Sequence, residues 1–141
     1  MIKFGTVSTA NITPRALIYP CMDEPKAIVG CIASRDKRRA EGFAQWHGIS
    51  RVHDNYVDVI EDERTNAFYN PLPISMHKEW SIRAMKAGKH VLCEKSFASN
   101  AQEAKEMAAV AEQSGLVLMD AFHYRYHPVF LRAKEIVDDG E

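Results

Sequence analysis

The chain has 141 residues, the usual length of one domain, so we expect a single domain over residues 1–141. Hydrophobic residues make up 46% and charged residues 26%, a composition typical of folded globular proteins and not of disordered chains. Eighteen Lys and Arg against nineteen Asp and Glu give a formal net charge of -1. We therefore expect no nucleic-acid partner and no membrane partner, since both usually bind a basic face.

The N-terminus, the apolar runs and the cysteines together indicate a cytoplasmic protein. The apolar runs have the length of strands, and none approaches the length of a membrane span. The first residues lack the charged region and the long apolar run of a secretory signal. Cys21, Cys31 and Cys93 form no CxxC pair, and we interpret them as reduced thiols that serve packing.

Predicted strands and helices alternate along the chain. The hydrophobic pattern predicts strands at residues 2–7 and 27–33, a helix at 36–47, and strands at 49–52 and 67–69. It continues with a helix at 75–87, a strand at 90–93, a helix at 100–114, a strand at 116–119, a helix at 126–137 and a polar turn at 138–141. Such alternation is typical of βαβ units, so we predict an α/β fold, a doubly wound Rossmann-like parallel sheet with helices on both faces.

Capping residues mark the ends of three of these helices. A glycine follows each of them, namely Gly48, Gly88 and Gly115. Glycine after a helix adopts the left-handed conformation at little cost. The N-cap candidates share a short polar side chain and are Asp36, Ser75 and Asn100. Asn100 and Glu103 also have the spacing of a capping box.

The turn after the first strand is the expected phosphate site of such a sheet, because helix N-terminal amides and the helix dipole favour an anion there. The GxGxxG fingerprint of dinucleotide-binding proteins would fall on Ser8, Ala10 and Thr13, so small residues replace all three glycines. Small side chains still let the backbone approach a pyrophosphate, and Ser8, Thr9 and Asn11 offer hydrogen bonds. A plain tight turn explains the same residues, and both interpretations stay open.

The end of the second strand favours NADP over NAD. Dinucleotide enzymes recognise the ribose there, and an acidic residue would bind the 2′-hydroxyl of NAD. This chain instead has Ser34 and Arg35, and a guanidinium suits a phosphate. Lys37, Arg38 and Arg39 add positive charge nearby. The alternative is a solvated basic start of the next helix.

Five segments together resemble the glucose–fructose oxidoreductase and inositol dehydrogenase family (Gfo/Idh/MocA) over essentially the whole chain. They are GTVSTANI at 5–12, ASR at 33–35, YNPLPISMH at 69–77, AGKHVLCEK at 87–95 and AFHYRYHP at 121–128. Their order and spacing make this match stronger than any single motif. The serine-containing first turn resembles the branch that includes dihydrodiol and xylose dehydrogenases.

The resemblance implies an oxidoreductase that transfers hydride between NADP and a sugar, polyol or cyclic diol. It assigns Lys95, at the end of a strand beside the nicotinamide, to acid–base catalysis, since an ammonium stabilises a developing alkoxide. The candidate cofactor-binding residues are Ser8, Thr9, Ala10, Asn11, Ile12, Ser34, Arg35, Asn70, Pro71, Leu72, His77, Glu94, Lys95 and Arg125. We expect no metal, because His123 and His127 have a ligand spacing but no third ligand accompanies them.

Three departures from the family pattern bear on function. Ser96 replaces the proline that follows the family lysine, and Ile74 replaces a common asparagine. The chain also ends at Glu141, about where the family's second domain, which contacts the substrate, begins. It is therefore either a piece of a longer enzyme or a natural single-domain protein. In both cases we expect the surface that meets the second domain to favour a homo-oligomer.

Two alternatives to an oxidoreductase stay open. One is a nucleotide-binding, dimerising module without independent catalysis, which the missing substrate domain favours. The other is a structural domain that has lost the cofactor, which only the glycine-free fingerprint favours. Turnover that depends on Lys95 would separate the enzyme from both.

Overall fold

A computed structural model describes residues 1–140 and shows one six-stranded sheet with every strand parallel to its neighbours. The strands are β1 (Ile2–Val7), β2 (Ala27–Ala33), β3 (Arg51–His53), β4 (Ala67–Asn70), β5 (His90–Cys93) and β6 (Leu118–Asp120). Their spatial order is β3-β2-β1-β4-β5-β6. This order defines the doubly wound dinucleotide-binding sheet, so the predicted fold class is confirmed.

Six α-helices connect or follow the strands: α1 (Tyr19–Asp23), α2 (Lys37–His47), α3 (Tyr56–Glu61), α4 (His77–Lys86), α5 (Ala101–Ser114) and α6 (Pro128–Asp139). A π-helical segment, Pro14–Ile18, leads into α1, and 3-10 turns at Ile74–Met76 and His123–Tyr126 precede α4 and α6. Within residues 1–140, no helix combines the length and apolar character needed to cross a bilayer.

Two apolar clusters fill the space between the sheet and its helices. On one face, α3, α4 and α5 pack against the strands through a cluster that includes Val59, Met85 and Met107. On the other face, two elements pack against the strands. The helical segment before α1 does so through Leu17, and α2 does so through Ala44. A Cβ atom on Gly5 of β1 would lie 2.7 Å from Cγ1 of Val59, so glycine allows α3 to pack directly on this strand.

The predicted caps are mostly confirmed. Asp36 accepts a hydrogen bond from the Arg39 N–H at 3.2 Å, and Asn100 accepts one from the Glu103 N–H at 2.9 Å. The Glu103 carboxylate accepts from the Ser99 N–H at 3.0 Å, one residue before the position that a capping box uses. Ser75 is not an N-cap: after Pro73 the chain first forms a 3-10 turn, and α4 begins only at His77.

Several element boundaries differ from the prediction. The third and sixth strands begin two residues later than predicted, at Arg51 and Leu118. The last helix begins at Pro128, whose fixed φ suits a first helical position, and it runs through Asp139 to a left-handed Gly140. The predicted polar turn at 138–141 is therefore helical at its start, and Glu141 lies outside the described residues. The helical segment at 14–23 and α3 were not indicated by the hydrophobic pattern.

An ion cluster joins the loop after α3 to β3. The Asp62 carboxylate is buried, its side chain only 2% exposed, and it accepts hydrogen bonds from Arg51 Nε at 3.0 Å and Arg64 Nε at 2.9 Å. Nε2 of His53 lies 3.0 Å from the same carboxylate. Burial raises the pKa of Asp62, but the hydrogen bonds from Arg64, His53 and Arg51 outweigh it and hold that pKa well below its ordinary value.

Candidate functional site

A cleft of about 710 Å³ opens at the carboxyl ends of β1, β2 and β4. This is where the strand order reverses direction, the place where open α/β sheets bind ligands. The residues that line it are Ser8, Thr9, Ala10, Ser34, Arg35, Asp36, Arg39, Tyr56, Pro71, Leu72, Pro73 and Met76. Three separate loops and two helices therefore form its wall.

The first turn leaves β1 at Ser8, which has a φ of 65°. This left-handed conformation is usual for glycine and costs a serine about 1 kcal/mol. Ser8 therefore adopts the backbone geometry that a glycine usually provides at this turn. The Ser8 N–H donates to the Ala33 carbonyl at 2.7 Å and fixes the turn against β2. Oγ of Ser8 is buried and has no hydrogen-bond partner among residues 1–140.

Two guanidinium groups line the β2 side of the cleft. Arg35 follows the strand, and Arg39 lies in the first turn of α2. The neighbouring Asp36 carboxylate caps that helix by accepting from the Arg39 N–H. Tyr56 at the start of α3 lies close by: burial raises the pKa of its hydroxyl, and the Arg35 charge partly opposes this. The β2 side is thus positive, as the sequence predicts for a phosphate.

The loop after β4 is held from inside the protein. Leu72 and Pro71 line the cleft, whereas Asn70 and His77 are buried behind them. The Asn70 amide donates to the His77 carbonyl at 3.2 Å and to Oγ of Ser81 at 3.1 Å. The Asn70 side-chain oxygen also accepts from the Leu72 N–H at 3.3 Å. These side chains shape the loop and do not line the cleft.

Lys95 follows β5 and is exposed, while the preceding Glu94 is buried. The hydroxyl of Tyr69 donates to Oε1 of Glu94 at 2.7 Å. Nε2 of His123 lies 3.7 Å from the same oxygen. At the end of β6, burial raises the pKa of Asp120 and the Glu94 carboxylate raises it further. The carboxylate of Glu94, the residue before Lys95, therefore lies close to a second carboxylate, that of Asp120.

The structure brings seven of the predicted cofactor-binding residues together in the cleft: Ser8, Thr9, Ala10, Ser34, Arg35, Pro71 and Leu72. Asn11 lines an adjacent shallow groove, and Ile12 continues the first turn. Arg125 is exposed in the turn after β6 and does not line the cleft. The lining residues absent from the predicted set are Asp36, Arg39, Tyr56, Pro73 and Met76. Arg39 was noted for its positive charge near the second strand and Asp36 as an N-cap, and Pro73 and Met76 lie in the YNPLPISMH segment, whereas Tyr56 carried no signal.

Among residues 1–140, one group of side chains has a geometry that could hold a metal ion. Ligand atoms of Cys31, His53 and Asp62 lie within 4.8 Å of one another. The Asp62 oxygens already accept from two guanidinium groups, and burial raises the pKa of the Cys31 thiol to about 11, so the group fits an ion cluster better than a cation. Nδ1 of His127 accepts from the Val129 N–H and caps α6.

The parallel sheet, the cleft at its switch point and the positive β2 side define a dinucleotide-binding domain. The sequence model of the Gfo/Idh/MocA oxidoreductase family, described as having an NAD-binding Rossmann fold, matches residues 2–122. The chain belongs to this family, which confirms the resemblance drawn from the five segments.

Relatives of this chain include enzymes named for NADP. The chain is 37% identical over 136 residues to D-xylose 1-dehydrogenase (NADP(+)) 2 of Haloferax volcanii, covering 96% of this chain and 42% of that protein. It is 38% identical over 112 residues to trans-1,2-dihydrobenzene-1,2-diol dehydrogenase of Oryctolagus cuniculus, covering 79% and 34%. A 3-ketoreductase from Actinomadura kijaniata, crystallised with NADP and TDP-benzene, superposes with a TM-score of 0.90 at 35% identity.

The matched region is one part of each relative. The superposition on the 3-ketoreductase covers 99% of this chain and 42% of that chain. The chain therefore spans less than half the length of these relatives.

Proposed function

We propose that this chain is the cofactor-binding part of an NADP-dependent oxidoreductase that acts on a sugar, polyol or cyclic diol. The observation that carries the proposal is the cleft at the switch point, with Arg35 and Arg39 on its β2 side. The relatives named above for NADP, and for a sugar or a diol substrate, support the same cofactor and substrate class.

The lining residues fit the parts of NADP in an order set by the sheet. The guanidinium groups of Arg35 and Arg39 would bind the adenosine 2′-phosphate, since planar guanidinium groups match phosphate oxygens. The turn at 8–10 would receive the pyrophosphate, with Oγ of Ser8 as a donor. The loop after β4, including Leu72, would face the nicotinamide end.

Lys95 would then exchange a proton with the substrate oxygen. The bound nicotinamide supplies or takes the hydride, and the protein supplies position and charge. The Lys95 ammonium is exposed at the carboxyl end of β5, next to the buried carboxylate of Glu94. A cation there stabilises negative charge on the substrate oxygen, and transfer of its proton completes the reduction.

We also propose that the protein acts in the cytoplasm as a homo-oligomer. Its three cysteines are free, and burial raises the pKa of Cys93 to about 12, which suits unreactive thiols in a reducing compartment. An apolar groove of about 470 Å³ on the sheet, lined by residues that include Phe4, Leu92 and Met119, supports association.

A second candidate function is a dinucleotide-binding module without turnover of its own. The observation that favours it is the position of Lys95, which does not line the cleft. Both candidates require the cleft to bind NADP, and they differ only in whether Lys95 has a reaction to catalyse.

Replacing Lys95 with Met should abolish any NADP-dependent oxidation of D-xylose, scyllo-inositol or a trans-dihydrodiol. General acid–base catalysis typically contributes about 100- to 10,000-fold, so we expect kcat to fall at least 100-fold. Steady-state NADPH formation measures this, with Lys105→Met, an exposed lysine on α5, as the matched control. Turnover that survives Lys95→Met would contradict the assigned role, and NADPH binding without turnover in the wild type would favour the binding module.

A further inference from the structure

His77 connects the two loops at the nicotinamide end of the cleft. It is the first residue of α4, and only 1% of its surface is exposed. Nδ1 lies 2.9 Å from the Ser96 carbonyl oxygen, and Nε2 lies 2.7 Å from the Leu72 carbonyl oxygen. One buried ring therefore contacts the loop that lines the cleft and the residue that follows Lys95.

We propose that His77 is a positioning residue that fixes Lys95 relative to the nicotinamide-facing loop after β4, and that it contacts neither cofactor nor substrate. This inference rests on the proposed function, because it concerns the same lysine and the same cofactor. It gives His77 a different role from the direct cofactor contact that the sequence resemblance implies.

Neighbouring hydrogen bonds make the His77 link rigid. Asn70 donates to the His77 carbonyl and accepts from the Leu72 N–H, so the loop after β4 is fixed to the start of α4 at two points. On the other side of Lys95, the Tyr69 hydroxyl holds the Glu94 side chain. Lys95 thus stands between two residues, Glu94 and Ser96, that are each held by a buried side chain.

Both ring nitrogens of His77 face carbonyl oxygens. A carbonyl oxygen only accepts hydrogen bonds, so a ring N–H of His77 is the donor in this link. The charged groups of the β5 loop and β6 near this region are the buried carboxylate of Glu94, the partly buried carboxylate of Asp120 and the exposed ammonium of Lys95.

The two halves of NADP should respond differently to loss of this link. The residues proposed for the 2′-phosphate, Arg35 and Arg39, lie on the β2 side of the cleft and make no hydrogen bond to His77. Leu72 lines the cleft in the loop after β4, and Lys95, which does not line it, follows β5. A variant that loosens the loops should therefore have a lower affinity for NADPH. Its affinity for adenosine 2′,5′-bisphosphate, which lacks the nicotinamide half, should be unchanged.

The test compares His77→Ala with His77→Asn. We expect His77→Ala to weaken NADPH about ten-fold, the effect of about two hydrogen bonds, and to change the affinity for adenosine 2′,5′-bisphosphate less than about two-fold. An asparagine amide can replace the Nδ1 donor toward Ser96, so His77→Asn should recover most of the NADPH affinity. Calorimetric titration of both ligands against each variant gives these values.

Nitrogen-15 NMR of the wild-type ring provides a second readout that does not depend on a variant folding. The proposal predicts a ring N–H that exchanges slowly with solvent, since the ring is buried against carbonyl oxygens, and rapid exchange would overturn it. An equal loss of affinity for both ligands in His77→Ala, or no loss of affinity for either, would also overturn the proposal. If the wild type binds adenosine 2′,5′-bisphosphate but NADPH no more tightly, the positioning role fails; if it binds neither, the proposed function itself fails.

Discussion

Replacing Arg35 with Ala should lower the affinity for NADPH about 10- to 100-fold and change the affinity for NADH less than about two-fold. A hydrogen bond to a charged group contributes about 1.5–3 kcal/mol, and each 1.4 kcal/mol is about ten-fold in affinity. Arg35 lines the cleft where β2 ends, so its guanidinium is placed for the 2′-phosphate that NADH lacks. Calorimetric titration of both cofactors at a fixed ionic strength measures the difference.

Arg38→Ala is the matched control for this experiment. It removes the same charge three residues further along the chain, in the first turn of α2, but Arg38 does not line the cleft. We expect this variant to lower the affinity for NADPH less than about two-fold, because an exposed charge without direct contact to the ligand is screened by salt. Equal effects of the two variants would mean that general positive charge at the start of α2, and not the Arg35 side chain, favours NADPH.

Asp62→Ala should destabilise the protein by about 3 kcal/mol at pH 7. The variant leaves Arg51, whose side chain is only 25% exposed, without the carboxylate that accepts its hydrogen bond, and it removes the link between the loop after α3 and β3. Arg64 is well exposed and can return to water, so the loss falls at the lower end of the range for a buried ion pair. Urea unfolding measures the difference in the free energy of unfolding, and Glu63→Ala, an exposed neighbour, should change it by less than about 0.5 kcal/mol.

The effect of Asp62→Ala should depend on pH in one direction. The folded protein holds the pKa of Asp62 below its unfolded value of about 3.9, so the ionised carboxylate stabilises the folded state above that pH. As the pH falls below about 4, the unfolded state takes up the proton first, and the stabilisation is progressively lost. The difference between wild type and Asp62→Ala should therefore shrink from pH 5 to pH 3, and a difference that grows would contradict the assigned ion cluster.

Elements with strong local signals could be predicted from the sequence. Helix α2 begins after Asp36 and α5 begins after Asn100, where the side chain of each cap satisfies a backbone N–H. Helix α3 has only six residues, too few to show a helical period, although its cap Asn55 accepts from the Asp58 N–H at 3.0 Å. Short elements of this kind are fixed mainly by packing, as the close contact of Val59 with Gly5 shows.

The cleft could be predicted in part because parallel strands bring their carboxyl ends to one edge. Ser8, Arg35 and Leu72 each follow a strand closely, and the structure brings them together. Tyr56 and Met76 reach the cleft through the packing of α3 and the turn before α4, which no local pattern reveals. The direction of a side chain could not be predicted from the sequence either. The YNPLPISMH segment identified His77 as a candidate, but only tertiary contacts show that its ring is buried.

Titration of the purified 141-residue chain with NADPH and NADH, followed by the thermal midpoint, tests most directly whether this cleft binds NADP. A ligand that binds only the folded state stabilises it by about 2.7 kcal/mol at a concentration of 100 times Kd. We predict a clear rise in the thermal midpoint with NADPH and a much smaller rise with NADH. No rise with either cofactor, or a larger rise with NADH, would contradict an NADP site between Ser8, Arg35 and Leu72.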